Sequence, residues 1–179
     1  MSDRADAIRE KLYEEDGHGV YAILDGASVS GLLKQLAEQQ PEHVCLYRGE
    51  LEPDMAEVAP YLVKLEHDAP FTEWVLDRGW GNHWGVFAES GADLDSLRGH
   101  FRTFLTVHDD SGKPLLFRYY DPRVLRTYLP TCNGEELKTM FGPVQSYVME
   151  EEGGAAILRF RLKNGSLGKQ VTQLEPPGR

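Results

Sequence analysis

Val20-Tyr21-Ala22-Ile23-Leu24-Asp25-Gly26 is an apolar run closed by an acid and a glycine. β-Branched and aromatic residues suit a strand, and the lack of polar alternation suits one covered on both faces. Gly26 lets the chain turn, Ser28 or Ser30 can cap a helix carrying Leu32, Leu33 and Leu36, and Pro41 ends that helix. His43-Val44-Cys45-Leu46-Tyr47 then reads as a second strand. Strand, helix and strand in this order form a βαβ unit, whose strands are ordinarily parallel neighbours joined by a right-handed crossover.

The pattern continues in both directions. Ser2 to Asp16 reads as an acidic amphipathic helix with Ile8 and Leu12 on one side, closed by Gly17 and Gly19. Leu51 to Ala59 is a polar loop or short helical turn before a third strand, Pro60-Tyr61-Leu62-Val63-Lys64-Leu65. A helix from Pro70 through Trp74, Val75 and Leu76 stops at Gly79, and Trp84 to Ala88 forms another strand. Asp93 opens a helix in which Leu94, Leu97, Phe101, Phe104 and Leu105 make an i, i+3, i+4 stripe flanked by Arg98 and Arg102.

Pro114-Leu115-Leu116-Phe117 is then expected to be a buried strand. Asp121 caps the next helix, with Pro122 in its first turn, where a missing N–H costs nothing. That helix runs to Pro130, and Asn133 caps another over Glu135 to Phe141, ended by Gly142-Pro143. Val144 to Met149, Ala155 to Leu162 and Gly168 to Leu174 read as a β-meander with turns at Gly153-Gly154 and Asn164-Gly165, and Glu175 to Arg179 is too short and polar to pack. The expected architecture is α/β (α+β): a mixed, partly parallel sheet flanked by helices, with a small antiparallel C-terminal extension. Residues 1–143 form the core domain and 144–179 the β-rich extension, which can belong to the same domain.

The 179 residues are enough to close a core. Nineteen basic against 29 acidic residues give a net charge of −10, which argues against nucleic acid or an anionic membrane as partner. The N-terminus is charged and no run reaches the length of a membrane span, so the chain is expected to be cytoplasmic. Cys45 and Cys132 lie in different elements without CxxC spacing, so neither a disulfide framework nor a zinc knuckle is expected.

Chemistry-bearing residues are present but do not converge on a motif. His67-Asp68, His83 and His108-Asp109-Asp110 lack any ligand spacing, so no metal is expected. Cys45 sits in an apolar strand, where burial suppresses the thiolate, and Cys132 has no neighbouring histidine. The glycine-rich stretch Gly79 to Gly85 lacks the lysine and hydroxyl residue of a phosphate loop, so no cofactor is expected. Asp25 with Asp121, or Glu57 with Asp68, are two among many carboxylate pairs that 29 acids allow.

Two features point to binding instead. Trp80 and Trp84, separated by small and polar residues, can stand at a surface rim where aromatic groups supply contact area. Arg118 and Arg123 flank Asp121 and can clamp its carboxylate; Arg118 and Asp121 are assigned to structure, and Arg123 is left open as a docking residue.

Tyr21-Ala22-Ile23-Leu24-Asp25-Gly26-Ala27, Leu46-Tyr47-Arg48-Gly49, Ala59-Pro60-Tyr61-Leu62-Val63, Gly79-Trp80-Gly81, Leu97-Arg98-Gly99-His100-Phe101-Arg102 and Phe117 to Leu125, continuing into Tyr128-Leu129-Pro130-Thr131 and Phe141-Gly142-Pro143, together resemble one family. It is the type VI secretion effector chaperones, the Tap or Tec adaptors. The resemblance implies a non-enzymatic protein of the bacterial cytoplasm that binds a toxic effector and helps load it onto the VgrG spike. Members often carry a longer C-terminal region implicated in choosing cargo, whereas only a short β-rich tail follows the matched blocks here.

A chaperone of this kind must cover an apolar or unpaired segment of its client. Ala156 to Leu162 is read as an edge strand that does so by strand addition, with Ile157, Arg159, Arg161 and Lys163 on the docking face and Leu158, Phe160 and Leu162 in the core. A small hydrolase with an Asp or His site at the sheet edge, and a structural assembly subunit, are the alternatives; a deep polar pocket favours the first, a shallow aromatic groove the adaptor.

Overall fold

The computed structural model describes residues 2–174; the reading of Glu175 to Arg179 lies outside them. The strands are β1 (Gly19–Asp25), β2 (His43–Cys45), β3 (Pro60–Leu65), β4 (Gly85–Ser90), β5 (Thr106–His108), β6 (Pro114–Leu116), β7 (Val144–Glu150), β8 (Ala156–Lys163) and β9 (Ser166–Gln173). The helices are α1 (Asp3–Leu12), α2 (Leu32–Gln39), α3 (Pro53–Val58), α4 (Pro70–Gly79), α5 (Leu94–Arg102), α6 (Pro122–Tyr128) and α7 (Gly134–Phe141).

Seven strands form one sheet in the order β2-β3-β1-β4-β7-β8-β9, and every neighbouring pair is antiparallel. The expected mixed, partly parallel α/β sheet is therefore wrong; the fold is α+β. The reason lies in one insertion. β1 and β2 do run in the same direction, since both are antiparallel to β3, but β3 lies between them. Likewise β1 lies between β3 and β4, which α4 connects. Two βαβ units thus interleave as a split β-α-β-β-α-β arrangement. β7 pairs with β4, so the C-terminal strands extend this sheet and do not form a separate one.

Side-chain alternation sends successive residues of the central strands to opposite cores. Val20, Ala22 and Leu24 of β1 pack on one face with Ile8 and Leu12 of α1, Leu32 and Leu36 of α2, and Val75 and Leu76 of α4. Tyr21 and Ile23 pack on the other with Leu97 and Phe101 of α5, Leu125 of α6 and Leu137, Met140 and Phe141 of α7. Helices therefore cover both faces of an antiparallel sheet. That double cover produces the unbroken apolar runs that otherwise signal parallel strands.

Local signals hold at several helix starts. Asp93 and Asp121 cap α5 and α6, accepting from Ser96 N and Arg123 N, and Asn133 with Glu136 forms a complete capping box at α7. α2 differs: its cap is Gly31 in the left-handed region, and Ser28 turns its hydroxyl to Asp25. Pro114–Leu116, expected to be buried, is instead one arm of the exposed β5–β6 hairpin, with Leu116 54% exposed.

Candidate partner-binding site

The site is built from the turn that follows β1. A Cβ on Gly26 would lie 2.5 Å from the carbonyl oxygens of both Glu57 and Ala59, so only glycine brings this turn against the end of α3. Asp25, buried at the strand end, accepts from Ala27 N at 3.1 Å and from Ser28 Oγ at 2.8 Å, and Arg118 donates to its second oxygen. Asp25 thus fixes Ser28 at the surface.

α4 and the loop after it supply the opposite side. Trp74 and Arg78 are one helical turn apart, and Trp74 meets Trp84 with ring centroids 4.7 Å apart at 49°. Together with Ser28, Ser30 and Asn82 they line a shallow groove of about 600 Å³. A second depression of about 550 Å³ shares Ser28 and Ser30 with it and extends to Lys34, Glu57 and Val58. Val58 and Met55 of α3 are exposed apolar residues.

A buried carboxylate holds the loop from Trp80 to Trp84. Glu150, at the end of β7, accepts from Gly81 N at 2.5 Å and His83 N at 3.1 Å, and His83 Nδ1 lies 2.5 Å from it. His83 takes a positive φ of 59°, which turns its amide towards Glu150. Trp80 Nε1 donates to Gly154 O at 3.0 Å.

The structure separates the residues that the sequence grouped. Trp84 lines the groove, but Trp80 is only 3% exposed and belongs to the core beside Phe87, because its indole N–H finds a backbone acceptor inside. The clamp divides in two. Arg123 binds Asp121 with two nitrogens, Nε at 3.0 Å and Nη2 at 2.7 Å, whereas Arg118 turns to Asp25. Burial pushes the Asp121 carboxyl up, but the hydrogen bonds and charge of Arg123 outweigh this and leave its pKa below the ordinary value. About half of the Arg123 side chain remains exposed.

The expected docking face on β8 is also overturned. β8 lies between β7 and β9, so it is not an edge. Arg159 is 4% exposed and binds the buried carboxylate of Glu89, which also accepts from Ser146 Oγ. Its second nitrogen donates to Lys11 O at 2.5 Å, tying α1 to the sheet. Arg161 pairs with Glu15 at 2.5 Å.

Trp74, Arg78, Asn82, Ser28 and Ser30 were not assigned to a site from sequence. The i, i+4 spacing of Trp74 and Arg78 places them on one side of α4, but nothing local brings Ser28 opposite them. Burial pushes the Cys45 and Cys132 thiols up, away from the thiolate. Among the described residues no group of three or more His, Cys, Asp or Glu could hold a metal ion. No helix among them is long and apolar enough to cross a membrane.

These observations define an α+β protein that carries a shallow groove containing Trp74 and Trp84 beside its antiparallel sheet. No curated protein and no solved structure matches the chain. A family model, the domain of unknown function DUF4123, matches residues 20–139, from β1 into α7. The chain belongs to the DUF4123 family.

Proposed function

We propose that this protein is a non-enzymatic chaperone or adaptor of a bacterial type VI secretion system, acting in the cytoplasm, that binds a toxic effector and helps load it onto the VgrG spike. The shape of the groove carries the reading. It is shallow and open, sets Trp74 and Trp84 among the polar Ser28, Ser30, Arg78 and Asn82, and adjoins the exposed Val58 of α3, which suits a protein surface better than a small substrate that must be enclosed. Asp25 and Asp121 weigh against the hydrolase alternative, since each is neutralised by an arginine and engaged in fixing a turn. The blocks that resemble the adaptors fall almost wholly inside the stretch that the family model matches.

The test is recovery of the tagged chain from its own bacterium, with mass spectrometry of what co-purifies. One dominant toxin-like protein together with a VgrG spike is expected. Recovery of neither, under conditions that keep other secretion complexes intact, overturns the proposal.

A further inference from the structure

The two edges of the sheet are built differently. β2 closes one edge with three residues shortly after Pro41, a common way of blunting an edge against further pairing. β9 closes the other with eight residues, in unbroken register with β8 and without proline. No described strand pairs with its outer side.

The register shows which groups that outer side presents. Asn164 and Gly165, with φ of 52° and 78°, form a two-residue turn closed by the pair Lys163 and Ser166. In such a hairpin the closing pair exchanges both hydrogen bonds, and so does every second pair beyond it: Arg161 with Gly168, Arg159 with Gln170, Ile157 with Thr172. Leu174 N donates to Ala155 O in the same phase. Leu167, Lys169, Val171 and Gln173 therefore turn their N–H and C=O groups outward.

Their side chains share the face of β9 that continues the α5 to α7 side of the sheet, because Leu167, Lys169 and Val171 stand opposite Leu162, Phe160 and Leu158. Val171 is 44% exposed. Lys169 is exposed and has no ion-pair partner among the described residues, whereas Arg159 and Arg161 of β8 lie on the other face and are paired with Glu89 and Glu15. This edge thus sets one exposed cation, Lys169, between the apolar Leu167 and Val171, and it lies beyond the end of the family match at residue 139.

We propose that the free edge of β9 accepts an extended segment of a partner protein as an eighth strand, with an acidic residue beside Lys169 and apolar residues beside Leu167 and Val171. Main-chain hydrogen bonds supply the affinity, and the apolar-x-acid-x-apolar alternation supplies the selection. The inference does not depend on the secretion reading, and neither falls with the other.

The probe is a display library of random twelve-residue peptides panned against the full chain, followed by titration of the selected peptides in synthetic form. The expected peptides carry the alternation and slow hydrogen exchange at Leu167, Lys169, Val171 and Gln173. Val171→Pro removes an outward N–H without touching the β8 ladder, so it weakens binding at least about tenfold while the chain stays folded. Lys169→Glu keeps the backbone intact and weakens the same peptides comparably. Selected peptides without the alternation, peptides that bind both variants as well as the parent, or a β9-dependent dimer of the chain itself overturn the proposal.

Discussion

Arg118 donates to the buried carboxylate of Asp25, joining the end of β1 to the segment before α6 across 93 positions of the chain. Removing the arginine strands a carboxylate that is 1% exposed. Arg118→Ala is expected to lower stability by about 1–3 kcal/mol, read by urea denaturation. Adding Asp25→Asn removes the stranded charge, so the double variant should be more stable than the sum of the two single losses implies.

Glu89 and Arg159 form a deeper pair, at 3% and 4% side-chain exposure. Arg159→Ala is expected to cost about 3–5 kcal/mol, because it leaves Glu89 charged and buried. Arg161→Ala, two residues along the same strand but in a half-exposed pair with Glu15, should cost about 1 kcal/mol or less. Equal losses in thermal or chemical unfolding would contradict this difference between neighbours.

Burial lowers the pKa of His100 below its usual 6.5, against an opposing hydrogen bond to Met140 O. The unfolded chain therefore binds this proton more readily than the folded one. The stabilising contribution is present above about pH 6.5 and is lost as the pH falls from there through the folded value. His100→Gln should flatten that part of the stability profile, measured as Tm against pH relative to the parent.

Gly26 has two backbone carbonyls within 2.5 Å of any added Cβ, and backbone cannot swing aside as a side chain can. Gly26→Ala is expected to destabilise the protein by about 1–3 kcal/mol and to displace the turn carrying Ser28 and Ser30. Circular dichroism melting, with Trp84 fluorescence as a local probe, checks both effects.

The sequence made nearly every element legible. Val20 to Asp25, the α5 stripe and the Asn133 cap each follow from local periodicity or capping chemistry. The order of strands was not legible, because insertion of β3 between β1 and β2 is decided by pairing over long separations, and β1 reads as apolar whichever neighbour it takes. Arg159 looked like an exposed cation on an edge because its partner Glu89 is 70 positions away. Trp80 and Trp84 differ for a similar reason: Gly154, remote in sequence, satisfies one indole and draws it inside. Trp84 and Arg123 keep exposed surface, so they remain with Trp74 and Arg78 as residues available to a partner.

The most direct test of the adaptor reading is calorimetric titration of the purified chain with the effector that co-purifies with it, repeated with Arg78→Glu. Arg78 lines the groove and its side chain is 72% exposed, so the substitution should leave the fold intact. The account predicts a saturable complex that Arg78→Glu weakens by about tenfold or more with unchanged Tm. An affinity indifferent to Arg78→Glu would remove the groove as the docking site, and the absence of any complex between the purified proteins would contradict the account itself.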